Sequence, residues 1–160
     1  QKCLQTSLFV AETFDPENTF SWNSALFFPT STSDYNNILR IAEWKLGTGG
    51  HHGRTKADYG LALYRAGKAS SSIAWLNGEG DIDDLTTENP DNPYPRILRL
   101  EILALSSASL GQSQVAIGYL NEARTQLRER ELRKDLGDQW NQWICCRMLQ
   151  SEAEQVLSSK

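Results

Sequence analysis

Residues 65–76 read RAGKASSSIAWL and residues 109–120 read SLGQSQVAIGYL. Laid over each other, Gly67 falls on Gly111, Ile73 on Ile117, Trp75 on Tyr119 and Leu76 on Leu120. Each stretch reads as the turn of a helical hairpin. Its glycine sits where a helix ends in a left-handed residue, a conformation that a Cβ makes costly. The flanks carry helical periodicity. From Arg96 to Leu110 (RILRLEILALSSASL), Ile97, Leu100, Ala104 and Ala108 form one stripe, broadened by Leu98, Ile102 and Leu105. So wide a stripe predicts a helix packed on two sides. From Ser113 to about Glu131 a second stripe runs through Ala116, Leu120, Ala123 and Leu127. The link Leu110-Gly111-Gln112-Ser113 reads as a C′ glycine followed by an N-cap serine, and so short a link folds two helices back on each other. Nowhere does a two-residue alternation run long enough for a sheet. The fold class is all-α.

Composition is compatible with one ordinary domain. The chain has 160 residues, 39% apolar and 22% charged, with eleven glycines and five prolines. That excludes a disordered or collagen-like chain and leaves enough length for a core without staples. A net charge of −4 argues against a nucleic-acid partner. No apolar run approaches the about 18 residues of a membrane span, and the N-terminus lacks a signal-peptide pattern, so no membrane partner is expected. Three cysteines, two of them adjacent as Cys145-Cys146, make no disulfide framework and point to a reducing, cytoplasmic setting. The chain starts at Gln1, as expected of a piece of a longer protein.

With the hairpin as a ruler, a repeat emerges. Gly60 lies seven residues before Gly67, and Ala104 seven before Gly111, each a small residue where two helices of a hairpin meet. Taking Gly60 as position 8 puts the start of that unit at 53, and a step of 34 back gives 19. The first unit (19–52) then carries Trp22, Ala25 and Ala42 at positions 4, 7 and 24. The third (97–130) has Leu103, Ala104, Ala116, Leu120 and Ala123 at 7, 8, 20, 24 and 27. The second (53–96) is longer by ten residues, which fall in the acidic stretch between Asn77 and Pro95. It has Tyr59-Gly60 at 7 and 8 but Ser72 at 20. This pattern resembles the tetratricopeptide (TPR) repeat, which implies a right-handed superhelix of about three helical hairpins. Pro29 stands where that family prefers an aromatic residue, so the first helix of unit one is expected to stop near Phe28.

The connecting phrases narrow the resemblance. Phe14-Asp15-Pro16, Ser21-Trp22-Asn23-Ser24-Ala25-Leu26, Leu39-Arg40-Ile41-Ala42-Glu43 and Gly60-Leu61-Ala62-Leu63-Tyr64-Arg65-Ala66-Gly67 look like the C-terminal TPR region of planctomycete-type serine/threonine protein kinases. The tail from Trp140 through Arg147, Met148, Leu149, Ser151, Glu152, Ala153, Glu154 and Leu157 resembles that family's closing helix. Helices are expected near 2–12, after Asp15-Pro16, from Asp34, and over 54–66, 70–77, 95–110, 113–132 and 138–157. The last is read as a cap whose apolar face (Trp140, Ile144, Met148) covers the third hairpin.

Chemistry is sparse. Gly47-Thr48-Gly49-Gly50-His51-His52-Gly53 lacks the following lysine of a phosphate loop and the strand before it, so it reads as a connector. His51 and His52 point apart and make a poor zinc site. Cys145 and Cys146 lack Cys-x-x-Cys spacing and are expected to pack in the core. The acidic stretch Glu79, Asp81, Asp83, Asp84, Glu88 and Asp91 fails the calcium-loop pattern, with Leu85 and Thr86 at positions 5 and 6. Arg124, Arg128, Arg130, Arg133 and Lys134 read as a solvated helix face or as a patch for an acidic partner. No kinase signature occurs, and no metal or cofactor is expected. The first reading is therefore a non-catalytic interaction or scaffolding module, with a protein or peptide ligand in a concave groove. The resemblance places that groove at Arg54, Ala57, Leu61, Tyr64 and Arg65 in unit two. In unit three it implies Leu98, Glu101, Leu105, Ala108 and Ser109. Arg54 or Arg65 would hold a carboxylate of the ligand. The rivals are a small helical enzyme or metal binder using the His51/His52 loop, and a module that self-associates through the ends of the solenoid.

Overall fold

The computed structural model describes residues 26, 32–47, 53–79, 92–132 and 140–159. Among them are six helices and no strand: α1 (Thr32–Gly47), α2 (Gly53–Arg65), α3 (Ala69–Ala74), α4 (Tyr94–Ser109), α5 (Ser113–Leu132) and α6 (Trp140–Ser158). α3 runs on into one π-helical turn over Trp75–Glu79. The bounds match the periodicity to within two residues, α1 starting at Thr32 instead of Asp34, except that α3 ends at Ala74, three residues short of 77, where the π-helical turn takes over. The expected helices over 2–12 and after Asp15-Pro16, and most of unit one, lie outside the described residues. No described helix is long and apolar enough to cross a membrane.

α4 is the centre. Thirteen of its sixteen residues are buried, so its stripe closes into a full circumference. It packs on α5, α6, α2 and α3, while α1 packs on α2. Pro95 in its first turn supplies a pre-set φ, and Asn92 Oδ1 accepts the Tyr94 N–H at 3.2 Å.

The two hairpin turns are built alike, bond for bond, at an offset of 44 residues. Gly67 N–H donates to Tyr64 O (2.9 Å) and Lys68 N–H to Leu63 O (2.9 Å). Gly111 N–H donates to Ala108 O (3.0 Å) and Gln112 N–H to Ser107 O (2.9 Å). Both glycines are left-handed, with φ of 74° and 78°. This is the Schellman arrangement, which satisfies the last carbonyls of a helix. One detail departs from expectation. The first intrahelical bond of α5 runs from Ala116 N–H to Gln112 O, so Gln112, not Ser113, is the N-cap.

Inside the second hairpin the small residues meet as their spacing predicts. A Cβ at Gly60 would lie 2.7 Å from Leu76 Cδ2, and Leu76 itself is buried. Ser72 Oγ donates to Gly60 O at 2.8 Å, and Ser106 Oγ of α4 donates to Ser72 Oγ at 3.1 Å. All these side chains are buried, so the hydroxyl chain joins α2, α3 and α4 without leaving a polar group unpaired. Tyr59 meets Trp75 edge to face at 4.8 Å, and the Trp75 indole donates to Lys56 O at 3.0 Å. Arg99 of α4 reaches the end of α3, its Nε donating to Leu76 O at 2.8 Å, where the helix has run out of its own donors.

Gly60→Leu is expected to lower stability by about 1–3 kcal/mol, because the new side chain must displace Leu76 from a closed core. Urea unfolding followed by far-ultraviolet circular dichroism measures it. A neutral substitution would contradict the close approach at Gly60.

Candidate functional site

The groove residues divide into three groups. Ala57 and Leu61 of α2 and Leu98, Glu101, Leu105 and Ala108 of α4 are no more than 1% exposed. They do not line an open groove as expected. Leu98, Glu101, Leu105 and Ala108 recur at steps of three and four residues and so share one stripe of α4. On that stripe Glu101 lies against Cys146 of α6, the helix that packs along α4. The closing helix thus lies against the stripe that the resemblance had assigned to the groove. Arg54 lies in the first turn of α2, its side chain outside the described residues.

Tyr64, Arg65 and Ser109 come together. They line a cleft of about 470 Å³ beside the two hairpin turns, with Tyr35, Gly67, Ala69 and Leu110. Arg65 closes its inner wall. Its side chain is only 6% exposed, with Nη1 and Nη2 both donating to the Glu152 carboxylate of α6. Its Nε donates to Leu26 O at 3.3 Å, and its guanidinium lies 5.5 Å from the centre of the Tyr64 ring. Desolvation works against the charge of Arg65, but the Glu152 carboxylate more than offsets it, with help from Tyr35 and Tyr64. The carboxylate that Arg65 was expected to take from a ligand is supplied by the chain itself. Burial, with Glu152 next in effect, pushes the Tyr64 hydroxyl above its usual range.

α6 docks on a different face from the one its bulky residues suggest. Cys146, Leu149 and Ala153 are buried, whereas Ile144 is 39% exposed and Met148 half-buried. Small residues at a spacing of three and four let α6 lie close to α4. The larger side chains stand on the flank, where Trp143, Ile144, Arg147, Met148, Ser151, Glu152 and Gln155 line a second cavity of about 530 Å³. Arg65 borders one cavity and Glu152 the other, so the ion pair stands between them. On the far side, Arg124 of α5 binds Glu154 at 2.8 Å, an exposed pair that holds the Glu154 carboxyl below its usual range. Arg128 is exposed on the same helix; Arg133 and Lys134 lie outside the described residues.

Glu101 is the anomaly of the seam. No hydrogen bond of good geometry reaches either carboxylate oxygen, and burial raises its pKa well above the usual range. The Cys146 thiol and the Arg147 guanidinium oppose that shift without cancelling it. Cys145 is half-buried and neither cysteine is in a disulfide. Among the described residues no group of three His, Cys, Asp or Glu side chains converges to hold a metal ion. His51, His52 and the acidic residues from Asp81 to Asp91 lie outside the described residues.

Two outcomes follow from these charges. Glu152→Ala strands a buried guanidinium and is expected to cost about 2–4 kcal/mol, against under about 1 kcal/mol for Glu154→Ala on the exposed pair. Denaturant unfolding of the two variants side by side tests the difference. Above about pH 4.5 the unfolded chain gives up the Glu101 proton while the folded chain keeps it. The folded state therefore loses stability as the pH rises, by up to about 1.4 kcal/mol per unit, until the buried carboxyl ionises. Glu101→Gln should remove that slope, so unfolding at pH 5 and pH 8 should differ less in the variant than in the parent chain.

Comparison of the chain with protein-family models, with curated proteins and with solved structures gives no match.

Proposed function

We propose that this chain is a protein-interaction module of tetratricopeptide type, with no catalytic step of its own, that recruits partners to a serine/threonine kinase in the cytoplasm. The observation that carries the repeat reading is the pair of turns at Gly67 and Gly111, whose hydrogen bonds correspond one for one. A second support is the contact between Ser72 of α3 and Ser106 of α4, which joins neighbouring hairpins. Stacked hairpins present extended faces to a partner without needing a reactive group. The kinase association rests on the phrase that ends Leu63-Tyr64-Arg65-Ala66-Gly67 and on the tail after Trp140.

The partner site in this reading is the cleft at Tyr64 and Ser109, with the Arg65 guanidinium at its back. Tyrosine and arginine are the side chains that most often anchor a partner.

The test begins with affinity capture by the whole chain from a lysate of its own cells. The purified partner is then titrated against Tyr64→Ala and Arg128→Ala at a temperature where both stay folded. Tyr64→Ala is expected to weaken binding about tenfold or more, and Arg128→Ala to leave it unchanged. The reverse pattern would move the site to the basic face of α5. A chain that captures nothing but carries metal lost in a His51→Ala/His52→Ala variant would be the metal-binding alternative.

A further inference from the structure

α6 treats the rest of the chain as a ligand would. Its buried residues Cys146, Leu149 and Ala153 follow the three-and-four spacing by which an amphipathic helix enters a groove. It is tied to α2 by a forked pair between Arg65 and Glu152, residues 87 apart in the chain. Arg65 also has contacts outside α6: its Nε donates to Leu26 O and its guanidinium lies by the Tyr64 ring, and both favour a side chain already turned toward an arriving carboxylate.

The seam also carries two defects. Glu101 is fully buried with the weak Cys146 thiol as its nearest polar neighbour and no hydrogen bond of good geometry to either oxygen, and the buried Gln142 Oε1 of α6 has no partner among the described residues. An apolar side chain at 101 would have made a tighter seam. Undocking α6 would let both groups hydrate, which lowers the cost of opening this helix alone. The ion pair to α5, Arg124 with Glu154, is exposed and weak.

We infer that the α4 stripe of Leu98, Glu101 and Leu105, together with Arg65, is a helix-binding surface that α6 occupies in cis. Its partner is an amphipathic helix of another protein, with small side chains where α6 has Cys146 and Ala153 and a carboxylate where it has Glu152. This deepens the interaction-module reading and rests on it. The partner competes with α6, so its apparent affinity is scaled by the fraction of chains in which α6 is undocked.

A fluorescent peptide with the sequence of residues 140–159 is the probe, titrated against the whole chain and followed by anisotropy. Glu152→Arg in the chain sets like charges against Arg65, loosens α6 and should tighten peptide binding by about tenfold or more. The gain should vanish when the peptide itself carries Glu152→Arg. Equal affinity for both chains, or indifference to the charge of the peptide, would overturn the proposal. Sedimentation of the variant tests the other occupant: a concentration-dependent dimer that excludes the peptide would make it a second copy and would also overturn the proposal.

Hydrogen exchange on the unaltered chain gives a reading that needs no variant. Amides of Cys146, Leu149 and Ala153 should exchange about tenfold or more faster than those of Ile102 to Leu105 in α4. Equal protection would mean that α6 opens only with the whole fold, and the proposal would fail. Should the peptide fail while a captured partner still depends on Tyr64, the interaction module stands and only the helix-for-helix exchange is lost.

Discussion

Three helices meet where their side chains are smallest. Gly60 lets Leu76 reach the backbone of α2, and the Ser72 hydroxyl bridges the Gly60 carbonyl to Ser106. A larger residue at any of these points would push α2, α3 and α4 apart, and the separation would propagate, because α4 is covered on every side. Leu61, Leu98, Ile102, Leu103 and Leu105 owe their complete burial to that closeness. The hydrophobic term is the large one, but the small residues decide whether it can be collected.

The hairpins were legible because their signals are local. A turn glycine, a helical stripe and a small residue seven positions earlier all lie within one stretch of chain, and each has a single physical meaning. Ser72, which stands where the third unit has Ala116, joins α2 and α4 through hydrogen bonds that an alanine could not make. The short α3 was less legible. Its helix yields to a π-turn at Trp75, and the end is tied off by Arg99, a residue from the next hairpin.

The face of α6 and the state of the groove were not legible, and for one reason. A repeat pattern states which positions of a helix look toward the concave side but not whether another part of the chain already lies there. Large apolar residues pointed to Ile144 and Met148, yet close docking selected Cys146 and Ala153, because a helix approaches α4 more nearly through small side chains. One clue stood in the sequence. Glu101 interrupts the apolar run RILRLEILAL, and an acid in such a stripe either meets a cation or sits in the core as a neutral carboxyl.

The fork between Arg65 and Glu152 bears on how this sequence can drift. Arg65 uses three nitrogens in two directions, so a lysine, with one compact ammonium, cannot replace it and keep both Leu26 and Glu152. Loss of either partner strands a charge against the core. The two positions are therefore free to change only together, across 87 residues and two different helices. A constraint of that form writes no repeating motif into the chain; its trace is a pair of distant positions whose histories are tied.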